Sequence, residues 1–302
     1  MEPALHPGDL VLVNKWQLGA RTPISLGIPF TGLRFQGFSF PPARLPGFSS
    51  INRSDVILYN YPLDTMIIDR KRVHVKRCIA LPGDTIAIRN QEIYINRSKI
   101  QEDYEILMNY EIRCSAAKIQ EIIELVNAEH RNLLFSEKGL HLMNLSPSEA
   151  IEIKTKFPKV EIASALYDNG AYLGHLYPAM NNRSWTPDNF GPFFVPAKGD
   201  SILLDAENLL LYNRLISKYE GKIIENRGDS IWINGDLSKY YKFEQNYYFA
   251  MGDNRHNSID SRHWGLIPEN HIIGKVGIVL FSINPQASWY NRIRWTKLFH
   301  NP

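Results

Sequence analysis

Met251-Gly252-Asp253-Asn254-Arg255-His256-Asn257-Ser258-Ile259-Asp260-Ser261-Arg262-His263-Trp264-Gly265-Leu266-Ile267-Pro268 follows an apolar run and packs turn formers, carboxylates and guanidinium groups into one short stretch. Asp and Arg at these spacings can form bidentate, charge-assisted pairs that hold a loop rigid. Ser258 is then a hydroxyl delivered at a fixed place. Binding and catalytic groups concentrate on loops held by a rigid scaffold, so the stretch reads as a site. A well-solvated surface loop is the plainer alternative.

The same Gly-Asp pair recurs at Gly8, Gly83, Gly199, Gly228, Gly235 and Gly252, the mark of many short strands joined by tight turns. Leu10–Val13 reads as a short buried strand. Val56–Tyr59, Val73–Ala80 and Asp84–Ile88 have strand character, and the last turns through Asn90-Gln91 into Ile93–Ile95. Ile231-Trp232-Ile233-Asn234-Gly235 echoes that hairpin, and Val276–Ile283 has the length of a strand. Between about 101 and 225 the texture changes. Ala116–Ala128 carries Ile119, Ile122, Ile123 and Val126 at helical spacing, and Ser146 with Glu149 forms a capping box for a helix through Lys154. Leu209–Tyr219 is a further helix, started near Asp205 and stopped by Gly221. The Pro-rich run Trp185–Pro196 is expected to cross back along the surface. A β-rich core with a mixed α/β insertion fits this order better than one continuous sheet.

The composition allows a sizeable core, with 44% hydrophobic and 12% aromatic residues among 302. A net charge of +3 is too balanced to announce nucleic-acid binding. Cys78 and Cys114 have no metal-ligand spacing and form no local pair, which leaves the redox compartment open. No apolar stretch approaches the roughly 20 residues that span a bilayer, so neither a signal peptide nor a membrane span is expected within the chain. Residues 21–50 mix Pro, Gly and aromatics without period. They suit either a long loop packed on the core or an exposed apolar surface for a membrane or an extended peptide. The basic-aromatic run Trp289–Phe299 suits a bilayer headgroup region or a docked tail equally well.

Within Val73–Ala80, alternation sets Val73, Val75, Arg77 and Ile79 on one face and His74, Lys76, Cys78 and Ala80 on the other. Small, nearly apolar neighbours would desolvate Lys76, lower its pKa and give a neutral amine able to act as a general base. A solvent-facing lysine on an edge strand satisfies the same pattern.

Lys76-Arg77-Cys78-Ile79-Ala80-Leu81-Pro82-Gly83-Asp84-Thr85 closely resembles the lysine motif of type I signal peptidases, the membrane-bound Ser-Lys proteases that remove signal peptides. The Gly252–Gly265 stretch resembles that family's last motif. Arg53-Ser54-Asp55-Val56 is similar to its Arg-Gly-Asp-Val box, and Met1-Glu2-Pro3-Ala4-Leu5-His6-Pro7-Gly8-Asp9 to the start of its nucleophile box. The order of the four motifs is the family's. Residues 19–23 and the large insertion look like the longer forms of Bacteroidota-type bacteria.

The resemblance implies a mainly β fold, a signal-peptidase-like core of antiparallel sheets with a mixed α/β insertion domain. Residues 1–99 and 229–285 would form a discontinuous catalytic core, 100–228 the insertion and 286–302 a basic-aromatic tail. It implies Lys76 as general base, Ser258 as the hydroxyl that orients it, and Asp253, Asp260 and Arg262 as the charged support of the loop. Met1 and Pro3 would touch substrate. Asp55 and Asp84 read as turn and strand-end residues, and Ala80 stands where the family usually has glycine. The family's nucleophilic serine precedes the Met of Met-x-Pro, so here it would precede Met1, as would a membrane anchor. Ser50 and Ser54 lie outside that box, and the thioether of Met1 has no proton to lose. The implied partners are signal peptides of exported preproteins and a membrane surface, with no nucleic acid, metal or organic cofactor. The implied location is the bacterial inner membrane, with the catalytic domain on its periplasmic face. Rival readings are an inactive homologue that binds signal peptides, a self-cleaving repressor-type protease and a β-rich adhesion module.

Overall fold

The computed structural model describes residues 1–22, 25–27, 34–39, 43–126, 133–167, 174–178, 185–228, 230–285, 287–288 and 292–302, the backbone alone for 25–27 and 34–39. The fold is mainly β. Its central six-stranded antiparallel sheet runs in the spatial order Asp9–Asn14, Ile272–Ser282, Val56–Asn60, Val73–Ala80, Tyr247–Met251 and Ile267–Pro268. The strand carrying Lys76 is therefore central, paired on one side through Ile57–Lys76 and on the other through Met251–Arg77. Both neighbours cover its backbone, which rules out the edge-strand reading of Lys76.

The first strand departs from expectation. Asp9–Asn14 lies at the sheet's rim with Leu10 and Leu12 turned outward, 61% and 50% exposed, while Val11 and Val13 face the core. It is half-buried because nothing in the described residues covers its outer face.

A second sheet orders Phe190–Phe194, Thr85–Arg89, Glu92–Ile95 and Ser98–Lys99. Asn90 and Gln91 both adopt positive φ (49° and 73°), the geometry of a two-residue hairpin turn. The run Trp185–Pro196 does not cross the surface: it supplies the Phe190–Phe194 strand, whose Phe190 and Phe193 are fully buried. The inward isoleucines at 86, 88, 93 and 95 need an apolar cover, and these rings provide it. Pro192, which has no N–H for the ladder, falls at the irregularity between Phe190 and Phe193.

In the interval expected as an insertion, Leu133–Glu137, Leu140–Leu145, Met108–Arg113 and Glu161–Ser164 form a separate antiparallel sheet. Helices Ala116–Leu125 and Pro147–Lys156 close a core of their own around Ile112, Ile122, Met143 and Ile153. The first helix's expected end at Ala128 lies outside the described residues. Ser146 and Glu149 make the reciprocal capping box, and the helix runs two residues beyond Lys154. The stretch from Phe190 to Ile216 packs instead into the cluster of Ile79, Ile86, Phe243 and Phe249. Asp205 caps a helix Ala206–Arg214 that continues as a wider turn over Leu215–Tyr219.

Of residues 21–50, Arg21 bridges Arg44 and a two-stranded ribbon joins Ser25–Gly27 to Arg34–Ser39. Ile28-Pro29-Phe30 and Phe40-Pro41-Pro42 lie outside the described residues, as do Trp289-Tyr290-Asn291 in the tail. The rest of the tail docks: Phe299 N–H bonds Val279 O (2.7 Å), and Lys297 Nζ donates to Pro3 O (2.9 Å). Trp295 and Phe299 nevertheless stay exposed.

Candidate active site

Lys76 and Ser258 meet. The Lys76 Nζ donates to Ser258 Oγ at 2.6 Å, across 182 residues of sequence. Burial depresses the lysine pKa below its ordinary value. Asp260 and Asp253 oppose that shift, and Arg262 reinforces it. A lysine held toward its neutral form can accept a proton.

The loop bearing Ser258 is fixed by three largely buried ion pairs, Asp253 with Arg77, Asp260 with Arg262 and Arg255 with Glu102. Asp253 pairs with Arg77, which donates from Nε (2.9 Å) and Nη2 (2.8 Å) to its two oxygens, both residues being buried. Asp260 pairs with Arg262 through Nε (2.9 Å) and Nη2 (2.8 Å). Burial alone would push the Asp260 carboxyl up. Arg262, His263 and Lys76 outweigh it and hold the group well below the usual carboxylate range. Asp260 Oδ2 also accepts the Gly252 N–H (3.1 Å), which ties the two ends of the loop together. The sequence places Arg77 opposite Lys76 and within the lysine motif but marks no role for it. It lies on the face of its strand opposite Lys76, so one strand supplies a lysine to one side and a buried arginine to the other.

Gly252 is the second residue whose role the sequence does not mark. A Cβ there would lie 2.3 Å from Ser258 Oγ and 3.1 Å from Lys76 Nζ, so only glycine lets the loop close onto the lysine. Its φ is unexceptional, and no local sequence signal marks that close approach.

The Met1 nitrogen lies near Lys76. Met1 lines a groove of about 610 Å³ with Leu5, Val75, Asn254 and Asn257. Pro3 lies apart from it, in a depression of about 440 Å³ with Ser54, Tyr104 and Lys297. Ser50 is exposed, and Ser54 carries the carbonyl that accepts from Arg77 Nη1 (2.9 Å). Asp55 and Asp84 brace turns: Asp55 accepts from Asn52 N–H and pairs with Lys275, while Asp84 accepts from Leu81 N–H and pairs with Arg53. Cys78 and Cys114 are both free thiols. Among the described residues no helix is long and apolar enough to cross a membrane.

A sequence model of the family described as signal peptidase, peptidase S26, matches residues 1–138 and 195–281. The chain belongs to this family of signal-peptidase proteases. Residues 139–194 and 282–302 lie outside the match. Among relatives, the signal peptidase I of Buchnera aphidicola subsp. Baizongia pistaciae is 23% identical over 99% of this chain and 72% of its own length. That of subsp. Schizaphis graminum is 25% identical over 97% and 69%. Signal peptidase I T of Bacillus subtilis is 33% identical over 29% of this chain and 58% of its own. Among solved structures, a signal peptidase I of Enterococcus faecalis V583 aligns with 76% of this chain and 97% of its own at 15% identity, with a TM-score of 0.27.

Proposed function

We propose that the protein is a membrane-associated serine endopeptidase that removes signal peptides from exported preproteins by a Ser-Lys dyad. Lys76 is the general base, Ser258 orients it, and the nucleophile is a serine joined to the amino group of Met1. The observation that carries this reading is the desolvated Lys76 amine held on Ser258 Oγ, with the Met1 nitrogen near the lysine. Neutral Lys76 takes the serine proton as the hydroxyl attacks the scissile carbonyl and passes it to the leaving amine as the peptide bond breaks; neutral again, it activates the water that hydrolyses the acyl-enzyme. The serine's own N–H and a neighbouring hydroxyl stabilise the oxyanion, each such donor contributing about 2.7–4 kcal/mol in comparable proteases.

Substrate enters as an added strand along the groove beside Met1 and Val75, with small side chains seated in it. The exposed Leu10, Leu12, Leu280, Trp295 and Phe299 belong to the rim strand, its partner and the tail docked on them. Together they form the face that rests on the bilayer where such substrates emerge.

The test joins serine directly to Met1 and follows cleavage of a purified precursor, beside versions with alanine at that place and with Lys76→Ala. Cleavage should require both the serine and Lys76. Cleavage that survives Lys76→Ala would refute the assigned base. Signal-peptide binding without cleavage by the serine form would replace the enzyme with a binding homologue.

A further inference from the structure

The catalytic loop has a second set of supports outside the ion pairs, and apart from Asn109 they come from residues 139–194, which the family model does not match. Asn254 and Asn144 exchange side-chain hydrogen bonds: Asn144 Nδ2 donates to Asn254 Oδ1 (3.1 Å), and Asn254 Nδ2 donates back to Asn144 Oδ1 (3.0 Å). The second hydrogen of Asn144 Nδ2 goes to Asn109 Oδ1 (2.9 Å). Both Asn144 and Asn254 are buried, and this closed arrangement uses their amide groups with no water needed.

Two residues further along the loop, His256 is held from both sides. Its Nδ1 accepts the Asn109 backbone N–H (3.0 Å) and must carry the lone pair. Nε2 therefore carries the proton and donates to Asp188 Oδ1 (2.9 Å). The other Asp188 oxygen accepts the Tyr167 N–H (2.8 Å). The side chains of His256 and Asp188 are 1% and 2% exposed. The turn bearing Asp188 also reaches the far end of the loop, where Pro187 O accepts from Arg262 Nη1 (3.3 Å). Asp188 and its neighbour thus grip the loop two residues before Ser258 and four residues after it.

We infer that Asn144 and Asp188 are positioning residues of the peptidase site, acting through Asn254 and His256 to hold Ser258 against Lys76. This rests on the peptidase reading for its effect on rate, but the geometry it concerns exists without turnover. The loop walls the lysine from water. Loosening it admits solvent and moves the lysine back toward its ordinary pKa, because burial is the largest cause of the depression. The titratable and charged groups facing the lysine are Asp260, Asp253, Arg262 and His74, and all of them remain in the variants below.

The experiment uses the full chain with carbon-labelled lysine and follows the Lys76 side-chain resonance against pH, assigned by its loss in Lys76→Met. Asp188→Asn places an NH₂ group against either His256 Nε2–H or Tyr167 N–H. Asn144→Ala strands the Asn254 amide. Each should raise the Lys76 titration midpoint by about half a unit or more. Ile153→Val, buried in the same insertion but away from the loop, serves as the structural control. It should lower the melting temperature and leave the midpoint unchanged. With the serine-bearing enzyme, kcat should fall about tenfold in the two variants with KM steady, and the rising limb of the pH profile should move upward. Unchanged midpoints in both variants would overturn the inference, whatever their melting temperatures. Loss of Lys76-dependent cleavage in the parent would overturn the peptidase reading alone, since the titration does not depend on turnover.

Discussion

Gly252→Ala offers a direct test of how tightly the site is built. The added methyl would sit 2.3 Å from Ser258 Oγ, 2.7 Å from its Cβ and 3.1 Å from Lys76 Nζ. Ordinary contact begins near 3.5 Å, so Ser258 must retreat by about 1 Å. Gly252 itself cannot easily yield, because its N–H is bonded to the buried Asp260 and the next residue is locked to Arg77. The 2.6 Å bond from Lys76 to Ser258 is then stretched past hydrogen-bonding range. A displacement of about 1 Å in a catalytic arrangement costs roughly 100-fold in rate. Overpacking of this kind costs about 1–3 kcal/mol of stability. The assay is kcat/KM for precursor cleavage by the serine-bearing enzyme, with thermal melting alongside. A double mutant with Ser258→Ala completes the cycle. If the damage runs through Ser258, Gly252→Ala should cost far less activity once that hydroxyl is gone. Retention of parental kcat/KM by Gly252→Ala, or strictly additive losses, would refute the argument.

Three other expectations follow from the same geometry. The Lys76 pKa is depressed on folding, so the unfolded chain binds that proton more readily and stability rises with pH from the depressed value up to about 10.5. Lys76→Met should flatten that slope in urea titrations, raise the melting temperature at neutral pH and abolish cleavage; an unchanged slope would mean the lysine is not desolvated. Arg77→Leu leaves the Asp253 carboxylate buried without its partner and should cost about 3–5 kcal/mol by denaturant unfolding, with partial recovery when Asp253→Leu is added. The pair Leu10→Ser and Leu12→Ser alters outward-facing side chains, so stability should hold within about 0.5 kcal/mol each. Sedimentation with phospholipid vesicles should fall several-fold, and unchanged binding would remove this edge from the membrane face.

The features readable in advance were those carried by local chemistry. The capping box at Ser146 and the turn at Asn90-Gln91 need only neighbours within a few residues, and both appear where the pattern put them. Strand Val73–Ala80 was legible for the same reason. Its place in the middle of the sheet was not, since pairing with Val56–Asn60 and Tyr247–Met251 is a property of the whole chain. Phe190–Phe194 was misread because Pro192 and Gly191 signal a loop, whereas the apolar faces of Ile86 and Ile93 decide the outcome. In the candidate site, the motif residues were visible. Their supports at Arg77, Asn144 and Asp188 were not, because an arginine in a strand or an asparagine far away carries no mark of what it will touch. The partner of each charged residue was equally hidden, since Asp253 has Arg255 and Arg262 nearer in sequence than Arg77.

The order of strands in the central sheet also sets a timetable. Ile272–Ser282 lies between Asp9–Asn14 and Val56–Asn60, so Asp9–Asn14 gains its sheet partner only once Ile272–Ser282 has been made. Lys76 likewise waits for Ser258. Nascent chains would spend synthesis with one open sheet edge, a state prone to mispairing with other chains. They would also lack an assembled site throughout that interval. A site that needs both Lys76 and Ser258 cannot assemble before the later residue has been made, and the delay is written into the sheet itself.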